Sequence, residues 1–258
     1  MICKIRTVLF ICVLLMMALA VAQTQELPKG ASTTDLGGGV SLELELIKPG
    51  TFTMGIVSKN KSEGPPHEVT ITRAFYIGKY EVTRAQWKAI MGSKSDGGEG
   101  DNLPVNQLTW GKAVEFCQKL SEKTGDIYRL PTEAEWLYAC QAGATTIFYW
   151  GDGEDEAHEY AWFGDTWGEV KPVGQKLPNA WGLFDMCGNV SEWCSDFHAN
   201  FPVGSAEDPQ GPTSGHFRLV RGGNYSEFVR GLKSSYRYKS LPEDSSVGIG
   251  FRVVMEVK

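Results

Sequence analysis

The sequence has no stretch rich in lysine or arginine, and its formal charge is −6 with a pI near 5.3. Binding nucleic-acid phosphates calls for the opposite sign, so no nucleic-acid partner is expected. Gly222-Gly223 has neither G-x-G-x-x-G nor G-K-[ST] around it, which excludes a phosphate loop there. C-x-x-C pairs are absent, which removes thioredoxin-type and zinc-ribbon chemistry. The four histidines, His67, His158, His198 and His216, are scattered without metal-ligand spacing. No internal repeat occurs, and cysteine is missing after Cys194. What is there is the ordinary material of a packed domain: 42% hydrophobic residues, 22% charged residues and 8 tryptophans in 258 residues.

The one long apolar run stands at the beginning. Lys4 and Arg6 form a short basic head, Val8 to Leu19 is almost unbroken hydrocarbon, and Ala20-Val21-Ala22 has the small-x-small form of a cleavage site. Residues 1–22 are therefore expected to be a signal peptide, and the protein exported to a periplasmic or extracellular space. The run is short for a bilayer span, and membrane association is expected only if the segment is retained. No cysteine follows the small residues, which argues against a lipoprotein anchor.

Export changes how the cysteines read. Cys117, Cys140, Cys187 and Cys194 remain, and four cysteines allow three pairings. Cys187 and Cys194 flank a Gly-Asn turn, which makes a local bridge between them a candidate. Cys117 and Cys140 sit in helical patterns, where a buried thiol and a bond are both open.

Residues 23–40 are polar and glycine-rich and are expected to form a flexible leader; residues 41–258 form the domain. Leu42, Leu44 and Leu46 alternate with glutamates, the period of a half-buried strand. Thr51–Gly55, Val69–Thr72, Arg218–Gly223 and Gly250–Val257 also have strand composition. Three helices are announced by their caps. Thr83-Arg-Ala-Gln86 and Thr132-Glu-Ala-Glu135 fit the capping box, Thr109 caps a helix through Leu120, and stops are expected at Gly92, Gly125 and Gly143. From Gly143 to about residue 215, glycine, proline and aromatics predict long loops. One α+β domain with sparse regular structure is the expected fold class.

Four segments carry a more specific signal. They are Phe52-Thr-Met-Gly55, Tyr128-Arg-Leu-Pro-Thr-Glu-Ala-Glu-Trp136, Asn179-Ala-Trp-Gly-Leu-Phe-Asp-Met-Cys-Gly-Asn-Val-Ser-Glu-Trp193, and Arg221-Gly-Gly-Asn224 with Gly250-Phe-Arg252. In order and spacing they resemble the formylglycine-generating enzyme family, also called sulfatase-modifying factors, whose fold is distantly C-type lectin-like. The family enzyme oxidises a sulfatase cysteine with oxygen and copper(I), held by two thiolates shortly after its Arg-Gly-Gly-Ser motif. Copper(I) demands such soft ligands. Here the corresponding stretch, Tyr225 to Tyr236, contains no cysteine. Copper chemistry of that kind is thus not expected, and iron is left open. Ser191 stands where the family usually has tryptophan, and Asn224 where it has serine.

The resemblance further implies calcium at the turn Asp185–Glu192, with the Asp185 and Glu192 side chains and the Gly188 and Val190 carbonyls as ligands. Hard oxygen ligands of this mixture suit calcium. The alternative for the same residues is that Asp185 caps a turn and Glu192 pairs with an arginine. Glu133 and Glu135, in a first helical turn, read as dipole compensation and capping. Arg129, Arg221 and Arg252 read as structural ties. Trp193, Asn224, Tyr225, Glu227 and Arg237 are expected to line a cleft, which Asp196 and His198 approach from a neighbouring loop.

Three functions follow from different classes. The first is a non-catalytic module, stabilised by calcium, that binds a peptide or glycan. The second is a divergent metal-dependent oxidoreductase of the same family. The third is an accessory protein of the cell envelope that works through a protein partner.

Overall fold

The computed structural model describes residues 30–258 apart from 61, 94–97, 99, 166 and 167; the predicted signal peptide lies outside the described residues. Ser32–Gly37 (β1) and Val40–Ile47 (β2) form an antiparallel hairpin closed by Gly38 and Gly39, both left-handed at φ 64° and 81°. Residues 30–40 are thus not the flexible leader expected over 23–40. Leu36 packs into the core beside Leu42 and Leu44, and the Thr34 and Tyr128 hydroxyls are 2.7 Å apart. Residues 23–29 lie outside the described residues.

Gly50–Met54 (β3), His67–Ile71 (β4) and Phe75–Gly78 (β5) follow, then three helices, Arg84–Met91 (α1), Trp110–Thr124 (α2) and Glu133–Gln141 (α3), with Tyr128–Arg129 (β6) before α3. The cap chemistry acts as expected. Thr83 and Thr132 close capping boxes with Gln86 and Glu135, and the Thr109 hydroxyl accepts from the Lys112 amide. Gly92 and Gly125 end α1 and α2 in the left-handed region. The third stop comes one residue earlier than expected: Ala142, at φ 46°, takes the cap position and Gly143 follows it.

The long irregular stretch holds one short helix, Ala157–Tyr160 (α4), and ends at Ser191–Phe197 (β7). The chain finishes with Ala206–Glu207 (β8), Arg218–Arg221 (β9), a 3₁₀ turn at Val229–Leu232, Tyr238–Ser240 (β10), Ile249–Gly250 (β11) and Val254–Glu256 (β12). Three sheets result, in the orders β1-β2-β5-β12-β6, β10-β9-β7-β11 and β3-β4-β8. Because β12 pairs with both β5 and β6, the last strand locks the first half of the domain.

The interior falls into two apolar clusters. One gathers Trp136, Phe148, Leu183, Met186 and the thiols of Cys140, Cys187 and Cys194; the other is built on Trp87, Phe116, Leu120, Trp193 and Phe251. In the second, Trp87 stacks on Phe116 at 5.8 Å and Phe251 meets Phe116 edge-on at 5.3 Å, the geometries that aromatic quadrupoles favour.

Two site expectations are corrected by this packing. Trp193 is fully buried, with its indole N–H donating to the Leu108 carbonyl at 3.2 Å, so it lines no cleft. Cys187 and Cys194 are free thiols rather than a local bridge. Cys187 donates to the Leu232 carbonyl at 3.1 Å, whereas Cys194 stands inside β7, carried away at ~3.3 Å per residue of extended strand.

Candidate functional site

The turn from Asp185 to Val190 is built on left-handed backbone, with Asp185 at φ 54°, Gly188 at 82° and Asn189 at 54°. Glycine is required at 188, because a Cβ there would meet the Trp162 carbonyl oxygen at 2.4 Å. Glu81, just before the first capping box, reaches into this turn from below. Its carboxylate accepts from the Val190 amide at 2.9 Å and the Asn189 side chain at 2.7 Å. Asp185 accepts from the Gly174 amide at 2.7 Å through one oxygen, while its other oxygen, Oδ1, is buried without a partner.

Glu192 completes the group from the first residues of β7. It accepts four short N–H contacts: three from the Arg252 guanidinium at 2.7–2.9 Å and one from the Trp136 indole at 2.7 Å. These contacts use the acceptor capacity of both carboxylate oxygens. Arg252 also donates to the Gly78 and Phe184 carbonyls, both at 2.9 Å, which ties β5 and the Asp185 turn to the C-terminal segment. The arginine pairing weighed as the alternative for Glu192 is therefore present.

Three buried carboxylates thus face one guanidinium. Burial pushes the Asp185 carboxyl up to about 6, and burial followed by the charges of Asp185 and Glu192 pushes Glu81 well above the usual carboxylate range. This excess of negative charge, with the orphaned Asp185 Oδ1, fits a hard divalent cation. The fit runs through Asp185 and Glu81; Glu192 is already saturated. Among the described residues no three carboxylate, imidazole or thiol side chains close around one point, so such an ion would take its remaining ligands from main-chain oxygens and water.

The expected cleft residues divide. Asn224, Tyr225 and Glu227 come together beside the same turn. The Tyr225 amide donates to the Asn189 carbonyl at 3.0 Å, the Asn224 side chain approaches the Ser191 hydroxyl at 3.4 Å, and the Asp165 amide donates to the Tyr225 carbonyl at 2.8 Å. Asn224 Oδ1 also accepts from the Ser226 amide and hydroxyl, which fixes the loop conformation.

Arg237 is elsewhere. It forms a bidentate pair with Glu133 at 2.5 and 2.7 Å, donates to the Ala199 carbonyl at 2.9 Å, and stacks on Phe201. Arg129 makes the matching bidentate pair with Glu135, both contacts at 2.7 Å. Each glutamate of the α3 first turn thus has its own arginine, and the two do not act as a carboxylate pair. Arg221, buried, donates to the Ser234 and Tyr236 carbonyls.

Beside Arg237 opens a pocket of about 480 Å³, walled by Met54, Phe197, Phe201 and Pro209 with Asp196 and His67 among its polar members. Asp196 accepts from the Glu133 amide at 2.9 Å and the Ser195 hydroxyl at 3.0 Å. Burial first, and Glu133 second, push its carboxyl up to about 7. His198 is lowered by burial and then by Arg237.

Sequence reasoning missed Glu81. Tyr80-Glu-Val-Thr83 carries no spacing signal, and only the fold brings that glutamate to the turn over 100 residues later in the chain.

Comparison with known proteins shows the family to which the chain belongs. Residues 41–257 match the sulfatase-modifying factor enzyme 1-like domain. The chain is similar to the chaperone protein LppX of Paenibacillus barcinonensis, with 30% identity covering 87% of this chain and 93% of that one. It is 32% identical to the mouse formylglycine-generating enzyme over 66% of its own length, a match that spans 49% of the enzyme. Among solved structures, variable protein 1 of Treponema denticola superposes with a TM-score of 0.81 at 27% identity, covering 89% of this chain and all (100%) of that one.

Proposed function

Because the chain belongs to the sulfatase-modifying factor family but carries no thiol in the loop after Arg221-Gly-Gly, we propose that it is an exported, calcium-stabilised module that binds a polypeptide rather than oxidising one. The observation that carries this reading is the placement of sulfur. All four cysteines among the described residues are buried. The loop Asn224–Glu227 offers amide, phenol, hydroxyl and carboxylate groups, which suit hydrogen bonding to a peptide and do not suit copper(I). A polypeptide is preferred to a glycan because LppX, similar over nearly its whole length, bears the name of a chaperone. Export rests on the pattern of residues 1–22.

Calcium would be held by Asp185 and Glu81 with the Gly188 and Val190 carbonyls. There it supplies charge neutralisation and no chemical step. The chain's own residues do the rest: Arg252 and Trp136 hold Glu192, and Asn224 holds the binding loop through Ser226.

The test begins with elemental analysis of protein purified without chelators. About one calcium per chain, with copper and iron absent, is expected. Near-stoichiometric copper or iron together with oxygen consumption would overturn the non-catalytic reading. For binding, the probe is a reduced, alkylated and fluorescently labelled polypeptide that cannot fold. Saturable binding, weakened about tenfold by Tyr225→Ala, is expected; absence of binding to the wild type would overturn the polypeptide assignment.

A further inference from the structure

The pocket beside Arg237 contains a polar atom that the fold leaves unused. Asp196, in β7, is only 4% exposed and forms part of the pocket wall. Its Oδ2 accepts from the Glu133 amide at 2.9 Å and the Ser195 hydroxyl at 3.0 Å, while Oδ1 accepts from no group among the described residues. Gly211, another wall residue, keeps the space beside that oxygen open, since a Cβ there would stand 3.0 Å from Oδ1. Buried acceptors are nearly always paired, so a donor entering the pocket has a place to bind.

The other charges of the wall narrow the kind of donor. Glu133, Asp196 and Glu207 face a single guanidinium, that of Arg237. Arg237 is fully occupied: both Glu133 oxygens take its N–H groups, and it also donates to the Ser62 and Ala199 carbonyls at 2.6 and 2.9 Å. Glu207 is exposed to water, which leaves Asp196 as the buried charge of the wall without a counter-ion. Arg218 is not part of the wall; it stacks on Phe197 and donates to the Ser195 carbonyl at 2.6 Å. His67 Nδ1 stands 3.2 Å from the Pro65 carbonyl. The rest of the surface is largely apolar, with Met54, Phe197, Phe201 and Pro209. Val57 and Val203, 92% and 94% exposed, follow the wall residues Met54 and Pro202 on the two loops that Arg237 ties together.

We propose that this pocket binds a primary ammonium carried on an apolar body, with the nitrogen donating to Asp196 Oδ1 and the body lying against Phe197 and Phe201. One open oxygen suits the point charge of an ammonium, whereas a guanidinium fork calls for two. A quaternary ammonium has no N–H to donate. The volume, about 480 Å³, is that of a small-molecule site. Burial and then Glu133 push the Asp196 carboxyl up to about 7, so near neutrality an arriving cation displaces the remaining proton to solvent. A free amine and a lysine side chain both carry this group. The assignment rests neither on the polypeptide reading nor on calcium.

Calorimetric titration of the full chain with 4-phenylbutylamine, protonated at pH 8, tests it. Saturable binding is expected, at least about tenfold tighter than that of the neutral 4-phenylbutanol. Asp196→Asn retains an acceptor for the Glu133 amide and should bind both probes equally, while Glu207→Gln should keep the preference. Absence of amine binding, equal binding of amine and alcohol by the wild type, or an unchanged preference in Asp196→Asn would overturn the proposal. So would a preference lost equally in Glu207→Gln, which would place the attraction at the exposed rim. The labelled polypeptide separates the sources. Its displacement by the amine assigns the ammonium to a lysine side chain, and undisturbed polypeptide binding assigns it to a free amine. A polypeptide that does not bind at all overturns the preceding reading, assigns the ammonium to a free amine and leaves the amine result standing.

Discussion

Replacing Asp196 by asparagine isolates one buried charge. In the folded protein this carboxyl keeps its proton up to about 7, against an ordinary value of 3.8, because it is buried and Glu133 stands beside it. Between those two values the native state binds more protons than the unfolded state, so stability falls as pH rises. The effect is nearly absent below pH 4, grows with pH through the interval, and levels off above about 7. At ~1.4 kcal/mol per unit, the wild type loses about 3 kcal/mol through this group between pH 5 and pH 8. Asparagine does not titrate, and its side-chain oxygen still accepts from the Glu133 amide that Asp196 serves at 2.9 Å. Asp196→Asn should therefore gain about 3 kcal/mol relative to the wild type on going from pH 5 to pH 8. Urea unfolding at the two pH values, followed by tryptophan fluorescence with a chelator present, measures the gain. Glu81 and Asp185 titrate in both proteins and cancel in the comparison. A stability difference that stays constant with pH, within about 1 kcal/mol, would refute the reasoning.

Other expectations concern the elements around the site. Arg252→Met leaves the fully buried Glu192 without its guanidinium, and unfolding stability should fall by about 3–5 kcal/mol; a loss under about 1 kcal/mol would mean that the ion pair does not hold the site together. Gly188→Ala combines a left-handed backbone with a Cβ 2.4 Å from the Trp162 carbonyl, so both thermal midpoint and calcium binding should drop. Calcium should raise the thermal midpoint of the wild type and leave that of Asp185→Asn nearly unchanged, since the orphaned oxygen is where the ion gains most. Thr132→Ala removes the hydroxyl of a capping box, and denaturant titration should show a loss of about 1 kcal/mol.

The contrast between the two halves of the proposed function follows from chemistry rather than fold. The family's motif segments converge: Trp136 from α3, Glu192 from β7 and Arg252 from the last segment meet in one hydrogen-bonded group. The group that would carry copper is missing from the loop after Arg221, although the loop packs against the same turn. The scaffold group is buried, whereas the loop Asn224–Glu227 is half-exposed, so the loop can change with little cost to the fold.

Local signals determined local structure in this chain. The threonine caps, the glycine stops and the Leu42–Leu46 alternation depend on neighbours within a few residues; the caps and stops match the observed helices to within a residue, and the alternation lies inside its strand. The ordered motifs were likewise enough to place the chain in its family, because they record a whole scaffold rather than one contact. The α+β class and the lack of sulfur after Cys194 were also readable from the linear chain. What the tertiary structure decided involves residues far apart in sequence. It brought Glu81 under the Asp185 turn, set Arg252 against Glu192, moved Arg237 to Glu133, and buried Trp193 in the second core. Such pairings depend on which faces meet once the sheets close, and their energies come from desolvation and from hydrogen-bond geometry. Neither exists for a residue until its distant partner has arrived.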